Sequence, residues 1–172
     1  MATSARGLRS LYGMIALTSL VLDQATKLWV VTALQGGERL PVIPDLFFLT
    51  NIRNTGGAFG LFRTLPEGTR KIFFLLLPAV ILAALVVVSL RSPARPVVFQ
   101  VALALILGGA LGNFVDRLRL EYVVDFLLFH WRDTWLRWPA FNLADSCISV
   151  GVGLLLLCQL RPEGKEGAAE EA

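Results

Sequence analysis

The chain has 172 residues, 55% of them hydrophobic and 17% charged, with a mean hydropathy of +0.65, a formal charge of +3 and a pI near 9.2. That balance is too apolar for an ordinary soluble domain and is the composition of a membrane protein, long enough for one compact embedded unit. The positive charge fits a chain lying beside anionic lipid, and no basic cluster points to nucleic acid.

The first apolar segment, 11–34, is long enough to cross a bilayer although Asp23 and Lys27 interrupt it. Its opening, Leu11 to Leu22 behind Arg6 and Arg9, resembles a cleavable signal peptide. No small-x-small cleavage site follows, so it is read as a retained first helix. The next stretch to about residue 71 holds a strand over Leu46–Ile52 and then NTGGAFG, Asn54 to Gly60, whose glycines predict a turn where backbone can approach a ligand. Ile72–Leu90 and Val97–Val115 are each 19 residues without a charge, close to the ~20 that a spanning helix needs. Pro78 is expected to bend the second helix, and the glycines of GGALGN (Gly108 to Asn113) to serve close packing of the third rather than phosphate binding.

Beyond the third helix, YVVDF reads as another strand, and Trp131, Trp135 and Trp138 are spaced for a segment at headgroup level. A fourth helix runs over 141–160, and the acidic tail 161–172 lacks the apolar residues to fold. The expected fold is therefore a mainly α, four-helix transmembrane bundle with a small extramembrane sheet, in a single embedded domain with both termini on one side. Cys147 and Cys158 share the last helix about 16 Å apart along its axis, too far for a disulfide. Charge does not orient the bundle: Lys and Arg are more numerous in the two long loops, yet denser and free of acids beside the N-terminus and in the turn from Arg91 to Pro96.

The polar residues carry the functional signal. Asp23 lies toward the end of the first helix; Asn54 follows it; Asn113, Asp116 and Arg117 close the third; Asp125 sits in the second long loop; Asn142 and Asp145 open the fourth. Threaded up, down, up and down, all fall at the end of the bundle opposite the termini, which scattered helix glue has no reason to do. Each also has a structural explanation. Asn142 with Asp145 three residues on is a capping-box variant; Asp23 and Lys27, four apart, form an ion pair on one helix face; Asn113, Asp116 and Arg117 make a solvated helix end. Asp125 resists such an account, being flanked by Val123, Val124 and Phe126 with no basic neighbour.

Two carboxylates brought together where water is scarce cannot readily both ionise. The ionised member can then take a proton from water while the neutral member hydrogen-bonds a carbonyl, which is amide hydrolysis without a covalent intermediate. Asp125 and Asp145 are the candidate pair. Other chemistries fare worse: His130 is the only histidine, so a metal site is not expected, and Asp23 one turn from Lys27 should hold that lysine protonated, against a Ser–Lys protease.

DQATK (Asp23 to Lys27), NTGGAFG, GNFVDR (Gly112 to Arg117), VVDF (Val123 to Phe126) and FNLADS (Phe141 to Ser146) stand in the order and spacing of bacterial lipoprotein signal peptidase, or signal peptidase II, which the chain resembles from Leu11 to about Leu160. The resemblance implies an intramembrane aspartic endopeptidase of the bacterial inner membrane, with cytoplasmic termini and a site near the periplasmic face. It implies removal of signal peptides from diacylglyceryl prolipoproteins by cleavage before the lipidated cysteine, with no metal or cofactor, and sensitivity to globomycin. Asp125 and Asp145 map onto the catalytic pair. Asp23, Lys27, Asn54, Gly56, Asn113, Asp116, Arg117 and Asn142 map onto supporting or substrate-binding positions, Asn113 and Arg117 being suited to hold the substrate backbone. The chain departs from many relatives in having Glu121 in place of glycine and Leu128 in place of a second acid. A proton-coupled transporter and a non-catalytic scaffold are the competing readings; the first favours midplane sites between repeats, whereas here the polar groups gather at one end and no repeat is evident.

Overall fold

The structure, a computed structural model, describes residues 5–55, 66–91, 96–129 and 138–160. In chain order the elements are α1 (Ala5–Ala33), β1 (Arg39–Ile43), β2 (Phe47–Asn54), α2 (Glu67–Arg91), α3 (Val97–Leu120), β3 (Val123–Phe129) and α4 (Leu143–Leu160). Among the described residues, four segments are long and apolar enough to cross a membrane: Gly7–Ala33, Ile72–Arg91, Val97–Leu120 and Leu143–Leu160. The expected bundle of four helices with a small sheet is what forms, and both cysteines are free thiols.

Helix α3 is the axle. Its membrane-crossing stretch is 56% buried against 6% for α2 and 11% for α4, and α1 and α4 pack against it more extensively than α2 does. Side chains on the outer face of α2, among them Ile72, Leu76 and Val80, are correspondingly exposed, as expected where the surroundings are themselves apolar. Pro78 sits within α2.

Small residues permit the close approach around α3. A methyl built on Gly108 would stand 2.7 Å from Cβ of Ser19 on α1, and one on Gly109 would collide with the Ala144 carbonyl oxygen and stand 3.0 Å from Ile148 Cγ1 on α4. One on Gly112 would collide with the Asp23 carboxylate, and Gly151 of α4 meets Ile106 and Ala102 of α3 in the same way. The glycines of GGALGN thus do serve helix packing. Leu82, Ala16, Ala104 and Leu107 complete the apolar contact between α1, α2 and α3.

Three helices overrun an expected end, whereas α4 begins at Leu143, two residues later than expected, because Phe141 pairs with β3 and Asn142 caps the helix. Helix α1 starts at Ala5 and α2 at Glu67, because the flanking polar residues continue the helical hydrogen bonding past the uncharged runs. Helix α3 does not stop near Val115 but continues five residues to Leu120, so Asn113, Asp116 and Arg117 lie within it and not at a solvated end; Asn113 and Asp116 are buried. It ends on Glu121 in the left-handed conformation, φ 66°, whose N–H bonds the Arg117 carbonyl. That backbone conformation is one that glycine adopts without strain.

The sheet caps the end of the bundle that carries these residues. Its order is β1-β2-β3, antiparallel throughout, with bulges between Pro41 and Ile43 and between Leu49 and Ile52. Strand β2 begins and ends one to two residues later than the expected Leu46–Ile52, and β1 was not foreseen. Buried Val124 and Phe126 pack on Val30 and Leu34 at the end of α1, with Leu143 at the start of α4 beside them. Trp138 is exposed at the head of the last described segment; Trp131, Trp135, His130 and the tail 161–172 lie outside the described residues.

Replacing Gly109 by valine should force α3 and α4 apart, at about 1–3 kcal/mol for overpacking a close contact. The thermal midpoint of the detergent-solubilised protein is expected to fall by several degrees. Gly153→Ala, whose added methyl meets nothing within 4 Å, serves as the silent control; equal midpoints for the two variants would rule out the tight α3–α4 contact.

Candidate active site

Two chain connections bring distant acids together. Strand β3 lies along β2 with Val123 opposite Asn54, and since side chains alternate along a strand, Val123 and Asp125 share a face with Asn54. On its other edge β3 is stitched to Phe141, two residues before α4: the Phe126 and Leu127 N–H groups donate to the Phe141 carbonyl at 2.9 and 2.8 Å, and Phe141 N–H returns to the Leu127 carbonyl at 3.0 Å. This clamp sets the strand bearing Asp125 beside the first turn of the helix bearing Asp145.

Asn142 joins them through its side chain. Its Oδ1 accepts the Asp145 backbone N–H at 2.9 Å, and Asp145 Oδ2 accepts the Asn142 N–H at 3.3 Å, a reciprocal helix cap. Its Nδ2 donates to Asp125 Oδ1 at 2.8 Å and to Asn113 Oδ1 at 3.1 Å. The capping explanation holds, and the same side chain, which is fully buried, also ties Asp125 to the cap. Asn54 Nδ2 donates to Asp125 Oδ2 at 2.9 Å, and Asn113 Nδ2 to Asp145 Oδ1 at 2.8 Å.

Beneath the pair lies a buried ionic brace. Lys27 Nζ stands 2.9 Å from Asp23 Oδ2 and 2.9 Å from Asp116 Oδ2, and donates to Asn113 Oδ1 at 2.9 Å. The expected Asp23–Lys27 ion pair is present, and Asp116 makes it a triad. Asp23 Oδ1 accepts the Ala144 N–H of α4 at 2.9 Å, and Asp116 Oδ2 accepts the Val124 N–H of β3 at 3.1 Å. One cation between two hydrogen-bonded carboxylates is the arrangement that lets charges persist away from water. Arg117 lies within electrostatic reach of Asp145, Asp125 and Asp116, its guanidinium 5.1 Å from the centre of the Phe74 ring on α2. Gly56 lies outside the described residues.

Gln24 was missed from the sequence. Its Nε2 donates to Asp116 Oδ1 at 2.9 Å and to the Gly112 carbonyl at 3.1 Å, with a longer 3.3 Å approach to Asp23 Oδ2. The signal was available, since Gln24 stands three residues before Lys27 and so shares its helix face.

Burial pushes the Asp125 carboxyl up to about 7. The Asn54 amide opposes this by hydrogen-bonding the ionised form, the Asp145 charge adds to it, and the Asn142 amide and Lys27 oppose it. Near neutrality Asp125 therefore gains and loses its proton readily. The described residues contain no group of three or more His, Cys, Asp and Glu placed to hold a metal ion.

A four-span bundle with two carboxyl groups joined through one buried amide over an ion triad defines a multi-pass membrane protein. A sequence model described as signal peptidase (SPase) II matches residues 15–161, and the chain belongs to that peptidase family. The lipoprotein signal peptidase of Pseudomonas aeruginosa is 45% identical over 149 residues, covering 87% of this chain and 86% of the relative. That of Geobacter metallireducens is 40% identical over 158 residues, covering 91% and 94%. A solved bacterial membrane enzyme superposes with a TM-score of 0.81 at 32% identity, over 94% of this chain and 95% of that one.

The raised proton affinity of Asp125 has a stability consequence. An unfolded chain releases that proton at about pH 3.9, whereas the folded chain keeps it until about 7. The folded state therefore binds more protons between those values, and its stability falls as pH rises through that window and levels off above it. Asp125→Asn removes the titration. Melting curves at a series of pH values should show the variant gaining on the parent from about pH 4 to 7; a difference independent of pH would refute the assignment.

Proposed function

We propose that the protein is an intramembrane aspartic endopeptidase that removes the signal peptide from diacylglyceryl-modified prolipoproteins, cutting on the amino side of the lipidated cysteine. The observation that carries this reading is the link made by Asn142, which holds Asp125 and Asp145 at one end of a membrane bundle. Membership of the signal peptidase II family supports the substrate class.

Asp125 is the neutral member at rest, and Asp145 the ionised one. Asp145 takes a proton from a water molecule whose oxygen attacks the scissile carbonyl carbon, while the Asp125 proton is shared with the carbonyl oxygen as it gains charge. The tetrahedral diol returns a proton to the departing amide nitrogen, the C–N bond breaks, and the acids exchange their protonation states before resetting. Arg117 and Asn113 flank the pair and serve to hold substrate backbone. The chemistry needs no metal or cofactor.

Orientation follows from the substrate. A prolipoprotein anchored by two acyl chains presents its cleavage site at the outer surface of the bacterial inner membrane, so the sheet and the acid pair face the periplasm and both termini the cytoplasm. A transporter is disfavoured by the position of the polar groups at one end of the bundle rather than at its midplane.

Purified protein given a diacylglyceryl prolipoprotein should release a shorter lipoprotein, scored by gel mobility. Asp125→Asn and Asp145→Asn should each lower the rate by about a thousandfold or more, the scale of losing an essential acid or base. The parental rate should decline as pH rises through about 7, where Asp125 loses its proton. Globomycin should inhibit the parent; full activity in either Asn variant, or indifference to the inhibitor, would count against this reading.

A further inference from the structure

We propose that Gln24 is a positioning residue for the cleavage reaction: its carboxamide fixes the Asp116 carboxylate, and Asp116 holds both acids of the pair in register. The inference rests on the endopeptidase reading and extends it to a residue without an assigned role.

Two routes leave Asp116. The first is direct: Asp116 Oδ2 accepts the N–H of Val124 at 3.1 Å, and Val124 immediately precedes Asp125 on β3. The second runs through Lys27, which bonds the same oxygen at 2.9 Å and donates to Asn113 Oδ1; Asn113 in turn donates to Asp145 Oδ1 at 2.8 Å. A rotation of the Asp116 carboxylate would therefore move Asp125 through the backbone and Asp145 through the lysine. Its other oxygen, Oδ1, is held by Gln24 at 2.9 Å, and Gln24 is itself anchored on α3 by the Gly112 carbonyl at 3.1 Å. The two N–H bonds of one amide thus bridge a rigid backbone point and the pivotal carboxylate.

The neutrality of this donor matters. Gln24 donates to Asp116 and approaches Asp23, the two carboxylates that Lys27 pairs. A cationic donor here would compete with Lys27 for the carboxylates, and an anion would repel them. An amide supplies two hydrogens without altering the charge balance on which the shared proton depends.

The test compares Gln24→Leu and Gln24→Glu with the parent in the prolipoprotein cleavage assay at several pH values, with thermal melting and size-exclusion profiles to count folded enzyme. Loss of positioning should lower kcat of Gln24→Leu roughly tenfold to a hundredfold at every pH, on the scale of a misplaced reacting group, with KM within about twofold of the parent. The near-isosteric Gln24→Glu should be as impaired at about pH 8, where its carboxylate opposes that of Asp116. At about pH 6 it should recover in part relative to Gln24→Leu, because a protonated acid donates one of the two hydrogen bonds that the amide makes.

If Gln24→Leu fails to fold, the pH-dependent recovery of Gln24→Glu alone carries the test. Parental kcat in Gln24→Leu, a loss confined to KM, or equal deficits in both variants across the pH range would overturn the inference while leaving the peptidase intact. A parent that does not cleave ends the peptidase reading and this inference with it.

Discussion

One buried amide joins the two halves of the site. Asn142 caps α4 with its oxygen and holds the Asp125 carboxylate with its nitrogen, so the start of a membrane helix and the middle of a strand become a single hydrogen-bonded unit. The buried polar residues described at this end of the bundle are arranged around that contact. The Phe141 clamp brings backbone to backbone, the asparagines at 54 and 113 orient one carboxyl group each, and the ion triad fixes the floor beneath them.

The apolar scaffold makes such a polar cluster tolerable. Ionised groups at membrane depth are costly unless mutually satisfied, and here each anion of the triad meets both a cation and a backbone N–H from another element. Glycines along α3 remove the side chains that would keep α1 and α4 away, and Gly112 in particular admits the Asp23 carboxylate itself. The closeness that buries the acids is the same closeness that desolvates Asp125 and raises its proton affinity. Packing and acidity are thus two results of one geometry.

Much of this was legible in the sequence because hydrophobic runs report membrane spans directly, and because the polar residues interrupting them fall at one end once the chain is threaded. Asp125 stood out by its apolar neighbours, and its strand is where YVVDF placed it. What escaped depended on tertiary context. Strand β1 is exposed along its whole length and contains Pro41, so it carries no alternating pattern, and it pairs only because β2 is already in place. The last turn of α3 reads as a solvated helix end, since nothing local reveals that Lys27 and Val124 arrive to satisfy Asp116. Gln24 went unremarked for a related reason: an uncharged residue inside a charged motif has no visible purpose until its partners on α3 are known.

The central claim is that two acids far apart in the chain share one poorly hydrated site and hold a single proton between them near neutrality. Infrared titration of the carboxyl stretch, with Asp125→Asn identifying the band, measures this directly. The Asp125 band should show a protonated acid that titrates near pH 7, and Asp145→Asn should shift its midpoint downward by removing the neighbouring charge. An Asp125 already ionised at pH 5, or a midpoint indifferent to Asp145, would contradict the account.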